Sequence, residues 1–364
     1  MNCRLLYLVG QLGPGGLEHQ LYYLLKTMDR ERYRPEVVVW NFRSGDIYVP
    51  QIQKLGVPLH HFPDTLSAAG KLSAFRRMVM RMRPEVIHSY TFYTNFAAWW
   101  AAPGTKPIAV GSVRNDFAHD KKSCGVLLGR LSARWPRAQI YNNFAGAKAA
   151  RSSHSLFTPG QVFVVRNALD LRQFRKAPVS TNGRAHILGV GSLIQRKRWD
   201  RLLRAAAALK GSGLDFRVDI AGGGPLGQSL QTLAQDLGVL DRVRFAGHTD
   251  DVSALLARST FLAHTSDSEG CPNVVMEAMA CGRAVVATDS GDIPSLVEDG
   301  KAGFVVRRGD EDALADRMTK LITDHDLCRR MGEAGRSKAE REFGLDRLLL
   351  ETLAAYRASG WKDS

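Results

Sequence analysis

The stretch HILGVGSLIQRKRWDRLLRAAAALK, residues 186–210, decides the fold. His186–Val190 is a short apolar run and reads as a buried strand. Gly191 opens a loop that runs through Trp199, and from about Asp200 to Lys210 the apolar residues recur at helical spacing. A strand, a glycine turn and a helix in that order begin a βαβ unit. The chain's start repeats the pattern. Leu5–Val9 is an apolar strand, Gly10, Gly13, Gly15 and Gly16 make a loop, and Leu17–Thr27 is helical. The opening MNCRLLYLVGQLG lacks the charge order and cleavage site of a signal peptide, so it is expected to be a buried first strand.

Working outward, strand signals alternate with helical ones. In the first half they are Glu36–Trp40, Val86–His88, Ile108–Val110 and Val162–Val165. In the second they are Phe216–Ala221, Val243–Phe245, Thr260–Ala263, Ala284–Ala287 and Gly303–Val306. Alternation of this kind implies parallel sheets with right-handed crossovers and ligands at the carboxyl ends of the strands. Periodicity is lost near Asn167–Arg184. The division expected is therefore residues 1–170, residues 171–345, and a last helix within 346–364 returning to the first domain.

A chain of 364 residues is long enough for two such domains, and 45% hydrophobic with 24% charged residues is a globular composition. No run of about eighteen apolar residues suggests a spanning helix. The five cysteines are scattered without metal-binding spacing, which fits a reducing cytoplasm. Residues 1–180 hold 25 Lys and Arg against 10 Asp and Glu, a net +15, while the remainder holds 25 against 26, a net −1. One half is built to meet something anionic: nucleic acid, an anionic membrane, or a pyrophosphate-bearing molecule.

The chemistry is expected in HTSDSEGCPNVVMEAMACGRAVVATDSGDIPSLVEDG, residues 264–300. Pro272 and Asn273 open a helix whose start presents unpaired amides and a partial positive charge, a site for a diphosphate. The amides of Asn273, Val274 and Val275 would face it. Glu277, on that helix, suits a ribose diol, and Glu269, in the loop before it, suits sugar hydroxyls. As a glycosidase pair the two fail, because eight residues of helix would put them roughly 12 Å apart. Equally, Glu277 could be a surface helix residue and Glu269 a loop charge. Arg196 and Lys197, after the Gly191 turn, suit a diphosphate and would stabilise a departing one, although a basic pair is more often a solvated loop. Gly222–Gly224 ends another strand and lets backbone approach a ligand, or is only a tight turn.

In VGSLIQRKRWDRLL, AGGGP, VRFAGHTDDV, the 264–300 segment and GQLGPGGLEHQL, the chain resembles the family-four retaining glycosyltransferases of the GT-B fold. The resemblance spans nearly the whole chain. It implies an α/β architecture of two Rossmann-like doubly wound domains facing a central cleft. It also implies a nucleotide diphosphate sugar as co-substrate, with a uridine carrier expected, and neither metal nor other cofactor. Arg196, Lys197 and Glu269 would form the catalytic set with His88. Gly15, Gly16, Gly191, Gly223, His248, Gly270, Cys271, Pro272, Asn273, Val274, Val275 and Glu277 would contact the donor. Cys271, following the first Glu-Gly, and Asp292, where a glycine is usual, depart from the family's pattern.

On the acceptor side, His88 ends a strand in VIHSYTFYTN and is the candidate for orienting substrate oxygens, with a core histidine satisfied by its neighbours as the plain alternative. Tyr90, Arg114 and His119 are further candidates. Asp116 would orient His119 or cap a helix, and His19 is a weaker third histidine. KLSAFRRMVMRMR (71–83) and KKSCGVLLGRLSARWPR (121–137) are basic and amphipathic. Either could lie on an anionic leaflet, the second being the better candidate, and the first equally a core-facing stripe. The expected acceptor is anionic, a lipid-pyrophosphate among the options, in surface polysaccharide or glycolipid assembly at the inner face of the membrane. A soluble transferase acting on a small sugar phosphate is the near alternative, and a nucleotide-sugar epimerase a remoter one. Nucleic-acid binding is disfavoured, because no basic groove interleaved with aromatics is evident.

Overall fold

The computed structural model describes residues 3–104, 106–176, 178, 183–249 and 251–362. Part of the expected linker, residues 177 and 179–182, lies outside the described residues. The strands are β1 (Cys3–Val9), β2 (Tyr33–Val39), β3 (Leu59–His61), β4 (Val86–Ser89), β5 (Ile108–Val113), β6 (Ala138–Tyr141) and β7 (Gln161–Val164), then β8 (Ala185–Val190), β9 (Phe216–Ala221), β10 (Val243–Gly247), β11 (Phe261–His264), β12 (Ala284–Thr288) and β13 (Gly303–Val306). They form two sheets, β3-β2-β1-β4-β5-β6-β7 and β10-β9-β8-β11-β12-β13. All pairs within them are parallel. In each sheet the strand order reverses beside the first strand of that sheet, which is the Rossmann arrangement and places ligands at the carboxyl ends nearby.

The chain divides into two units, Met1–Ala168 with Leu345–Ser364, and Leu169–Gly344. Side chains of β1 show why its sheet sits between layers. Leu5, Tyr7 and Val9 belong to one core cluster, and Leu6 and Leu8 to another. Successive residues of a strand point to opposite faces, so a strand apolar at every position is covered on both sides. Ile187 and Leu188 of β8 divide in the same way. The helix Leu345–Ala358 contributes Leu348, Leu353 and Tyr356 to the cluster of β1 and β2, completing the N-terminal unit.

The first basic stretch faces inward: Phe75 and Val79 are fully buried, with Leu72, Met78 and Met82 packed against their cluster. The expectation that it could lie on a membrane is corrected, since its apolar stripe is already used. The second stretch differs. In the helix Val126–Arg134, Val126 is 72% and Leu127 73% exposed. Among the described residues no helix is long and apolar enough to cross a membrane.

Candidate active site

The loops at the carboxyl ends of β8 and β11 carry the site in the C-terminal unit. Gly191 follows β8, and a short 3-10 turn, Gln195–Lys197, leads into the helix Trp199–Gly211. Arg198 between them has a left-handed φ of 50°, a costly conformation for a residue with a Cβ. It is held by Asp200 at 2.9 Å and by Asp267 at 3.0 Å. Arg201 adds a 2.6 Å ion pair to Asp267, and Thr265 Oγ1 donates to the Lys197 carbonyl at 3.0 Å. These contacts fasten the 195–198 turn to the 265–269 loop.

Within that frame Lys197 Nζ sits 2.6 Å from Glu269 Oε1. The same oxygen meets His264 Nε2 at 3.2 Å. Glu269 Oε2 is left without a partner among the described residues. Burial raises the proton affinity of Glu269, but the bonds from His264 and Lys197 outweigh it and hold the carboxyl well below its ordinary value. His264 is pulled down by its own burial, so it is neutral and donates from Nε2. Sequence reasoning missed His264, which ends a strand as a plain core position would. Lys197 thus pairs with Glu269, whereas the Arg196 guanidinium has no protein partner among the described residues.

The helix Asn273–Ala280 begins at Pro272 with no side-chain cap. Val275 N–H donates to the Pro272 carbonyl at 3.2 Å, so its expected part as a phosphate donor is withdrawn; the Val274 amide has no acceptor among the described residues. Gly270 is buried, and its carbonyl accepts from Asp292 N–H at 2.9 Å. Gly291 makes this approach possible: its φ is +56°, and any Cβ there would strike the carbonyls of Glu269 and Gly270. Cys271 is a core side chain, 5% exposed and against Met276 Sδ at 3.5 Å, so only its backbone remains for a donor. Asn273 is half-buried at the helix start. Glu277 is buried, which pushes its carboxyl up to about 7. Gly223 is exposed and accepts from Leu193 N–H at 2.9 Å, and His248 is exposed in the loop after β10.

The N-terminal unit departs further from expectation. His88 is 1% exposed, with Nδ1 on Tyr356 Oη at 2.7 Å and Nε2 on Ser112 Oγ at 2.8 Å. Both ring nitrogens are spent and burial holds its proton affinity far down, so its assignment to substrate oxygens is corrected: it ties β4 and β5 to the last helix. Gly15 caps the helix Gly16–Thr27, yet a Cβ at Gly15 would strike the Glu18 carboxylate. The helix start expected to cover a phosphate through Gly15 and Gly16 therefore already faces an acid, which burial raises to about 7. Asp116 Oδ1 accepts from His119 N–H at 2.8 Å, so it caps the helix Phe117–Ser123 and does not orient the exposed His119 ring. His19 packs at a tilt against Tyr23, with centroids 4.1 Å apart, and is lowered to about 4 by burial. Tyr90 is fully buried, and Arg114 lies over its ring with Cζ 4.2 Å from the centroid. Among the described residues no group of three His, Cys, Asp or Glu could hold a metal ion.

Comparison with known proteins agrees with this layout. The family described as glycosyl transferases group 1 matches residues 171–338, and the glycosyl transferase 4-like domain matches residues 15–168. N-acetyl-alpha-D-glucosaminyl L-malate synthase of Bacillus anthracis is 28% identical over 187 residues, 51% of this chain and 49% of that protein. The GDP-mannose-dependent alpha-(1-6)-phosphatidylinositol monomannoside mannosyltransferase of Mycolicibacterium smegmatis is 36% identical over 178 residues, 46% of each chain. The chain spans about half the length of the curated relatives it matches. The crystal structure of Anabaena HepE in complex with UDP-glucose superposes with a TM-score of 0.83 at 20% identity, covering 98% of this chain and 99% of that one. At such identity the likeness shows the fold.

Proposed function

Since the chain belongs to the family-four glycosyltransferases of the GT-B fold, we propose that it moves a sugar with retention, and without a metal, from a nucleotide diphosphate sugar to an anionic acceptor. The observation that carries this is the cluster in the C-terminal unit: the uncapped start of Asn273–Ala280, the unpaired Arg196, and the Lys197–Glu269–His264 group. Arg196 and the Val274 amide take the diphosphate. Glu277, once ionised, accepts from the ribose hydroxyls. Glu269 keeps Oε2 for the hydroxyls of the transferred sugar. As the bond from the anomeric carbon to the diphosphate oxygen breaks, its electron pair leaves with the diphosphate, where Arg196 and the helix start stabilise the charge. The acceptor oxygen bonds to the same carbon, and its proton passes to the departing phosphate. A uridine carrier is the first choice, because a structural neighbour binds UDP-glucose. The test is a thermal-shift screen of nucleotide sugars, followed by transfer assays on Glu269→Ala. A screen without a binder, or full transfer by that variant, overturns the reading.

The acceptor side of the proposal places the chain on an anionic membrane surface, in polysaccharide or glycolipid assembly. Its support is the exposed edge of Val126, Leu127 and Leu128 beside Lys121, Lys122 and Arg130. Apolar side chains would enter the interface while the cations meet anionic headgroups. Sedimentation with phosphatidylglycerol vesicles tests this, and a protein left in the supernatant returns the reading to a soluble acceptor.

A further inference from the structure

Arg114 is the first residue past β5, at the carboxyl edge of the N-terminal sheet. It is 7% exposed, and its Nε and Nη1 have no hydrogen-bond partner among the described residues. The Tyr90 hydroxyl, past the end of β4, has no partner among the described residues other than Arg114 itself. Stacking explains the pair only in part. Arg114 Cζ stands 4.2 Å from the Tyr90 ring centroid, and the ring gives a cation–π contact without an anion. Buried polar groups in native proteins are rarely left in this state, and a buried charge without a counter-ion is strongly disfavoured.

Among the described residues no carboxylate forms an ion pair with Arg114. Asp116 caps its helix, and Asp120 accepts from Asn115 Nδ2 at 3.1 Å. The equally buried Arg201, in contrast, holds Asp267 at 2.6 Å. Around Arg114 the asparagines serve its backbone. Asn142 Nδ2 donates to the Arg114 carbonyl at 3.0 Å and to Asn167 Oδ1 at 3.4 Å, and Asn143 Nδ2 donates to Asn142 Oδ1 at 2.9 Å. A buried amide network thus fixes an arginine whose charged end meets Tyr90 but no carboxylate among the described residues.

We propose that Arg114 and Tyr90 form an oxyanion subsite that binds a phosphate or carboxylate of the acceptor. The planar guanidinium offers an oxyanion a fork made by Nη2 with either Nε or Nη1, and the phenol offers a further donor. Assignment of the anion to the acceptor rests on the transferase reading above; the anion site itself does not.

The test is thermal shift of the full chain, held in saturating UDP so that the donor site is filled. Inorganic phosphate, L-malate and phosphatidic acid vesicles are added in separate arms. At least one arm raises the melting temperature saturably. The rise is lost in Arg114→Gln, with affinity at least tenfold weaker, and is kept in part in Arg114→Lys. UDP binding is the same in all three proteins. Should Arg114→Gln fail to fold, Tyr90→Phe takes its place and weakens the same arm severalfold. An equal response in wild type and variant, or no response in any arm, overturns the subsite. Failure of UDP to bind wild type would instead strike the donor reading, so the two failures are distinct.

Discussion

Lys197 Nζ and Glu269 Oε1 stand 2.6 Å apart, both largely buried, and His264 closes on the same oxygen. One side of the carboxylate is therefore neutralised by the protein, while Oε2 has no partner among the described residues. Removing either partner leaves the other charge stranded. Lys197→Met should cost about 3–5 kcal/mol of stability, as breaking buried pairs does, with most of the loss recovered in Lys197→Met/Glu269→Gln. Urea denaturation of the single and double variants measures it. Additive losses would refute the coupling.

Arg196→Ala should keep the fold and lower kcat by about 10²–10³, the cost of removing one donor to a developing anion. Steady-state transfer assays at saturating donor are the check, with unchanged urea midpoints as the control for folding.

Glu277 gives a pH dependence of known sign. Its folded value is raised to about 7, above the ordinary 4.5, so the native state binds more protons between those values. Its contribution to stability is fully present below about 4.5 and is lost as pH rises to about 7. Donor binding runs the other way, because ribose hydroxyls need the ionised acceptor. UDP affinity should climb about tenfold from pH 6 to 8, and Glu277→Gln should flatten that profile and be the more stable protein at pH 8. Calorimetric titrations at three pH values decide it.

Leu127→Glu should abolish binding to phosphatidylglycerol vesicles without changing the affinity for UDP. Lys121→Ala/Lys122→Ala should weaken vesicle binding by about 30-fold, from about 1 kcal/mol per cation at the surface. Co-sedimentation at low and high salt reads both.

His88→Gln should lower stability by about 1–3 kcal/mol, since Ser112 and Tyr356 lose a buried partner. Transfer per folded molecule should stay within about threefold of wild type. A loss of kcat with an intact fold would restore His88 to the substrate.

Much of this was legible in the residues. Strand, glycine turn and helix at Val190–Trp199 announce the second sheet, and Pro272–Asn273 marks the start of the helix beneath the site. Two strands escaped. Leu59–His61 is three residues long with two histidines, and Ala138–Tyr141 carries the polar Gln139, which is buried and spends its amide on the carbonyls of Ser132, Ala133 and Pro136. Apolar periodicity cannot detect a strand whose buried residue is satisfied by hydrogen bonds. The site's residue types were readable; their partnerships were not. That Lys197 reaches Glu269, 72 residues away, and that His88 reaches Tyr356, 268 away, are products of tertiary packing.

Leu169 and Gly344 form an isolated parallel bridge, and Leu169 N–H donates to the Phe343 carbonyl at 2.7 Å. The polypeptide thus enters and exits its second half through adjacent residues, so that half is a nested insertion in a discontinuous first half. Deleting everything after Gly344 would consequently injure the amino-terminal half, stripping Tyr356 from His88, and spare the half that immediately precedes the cut.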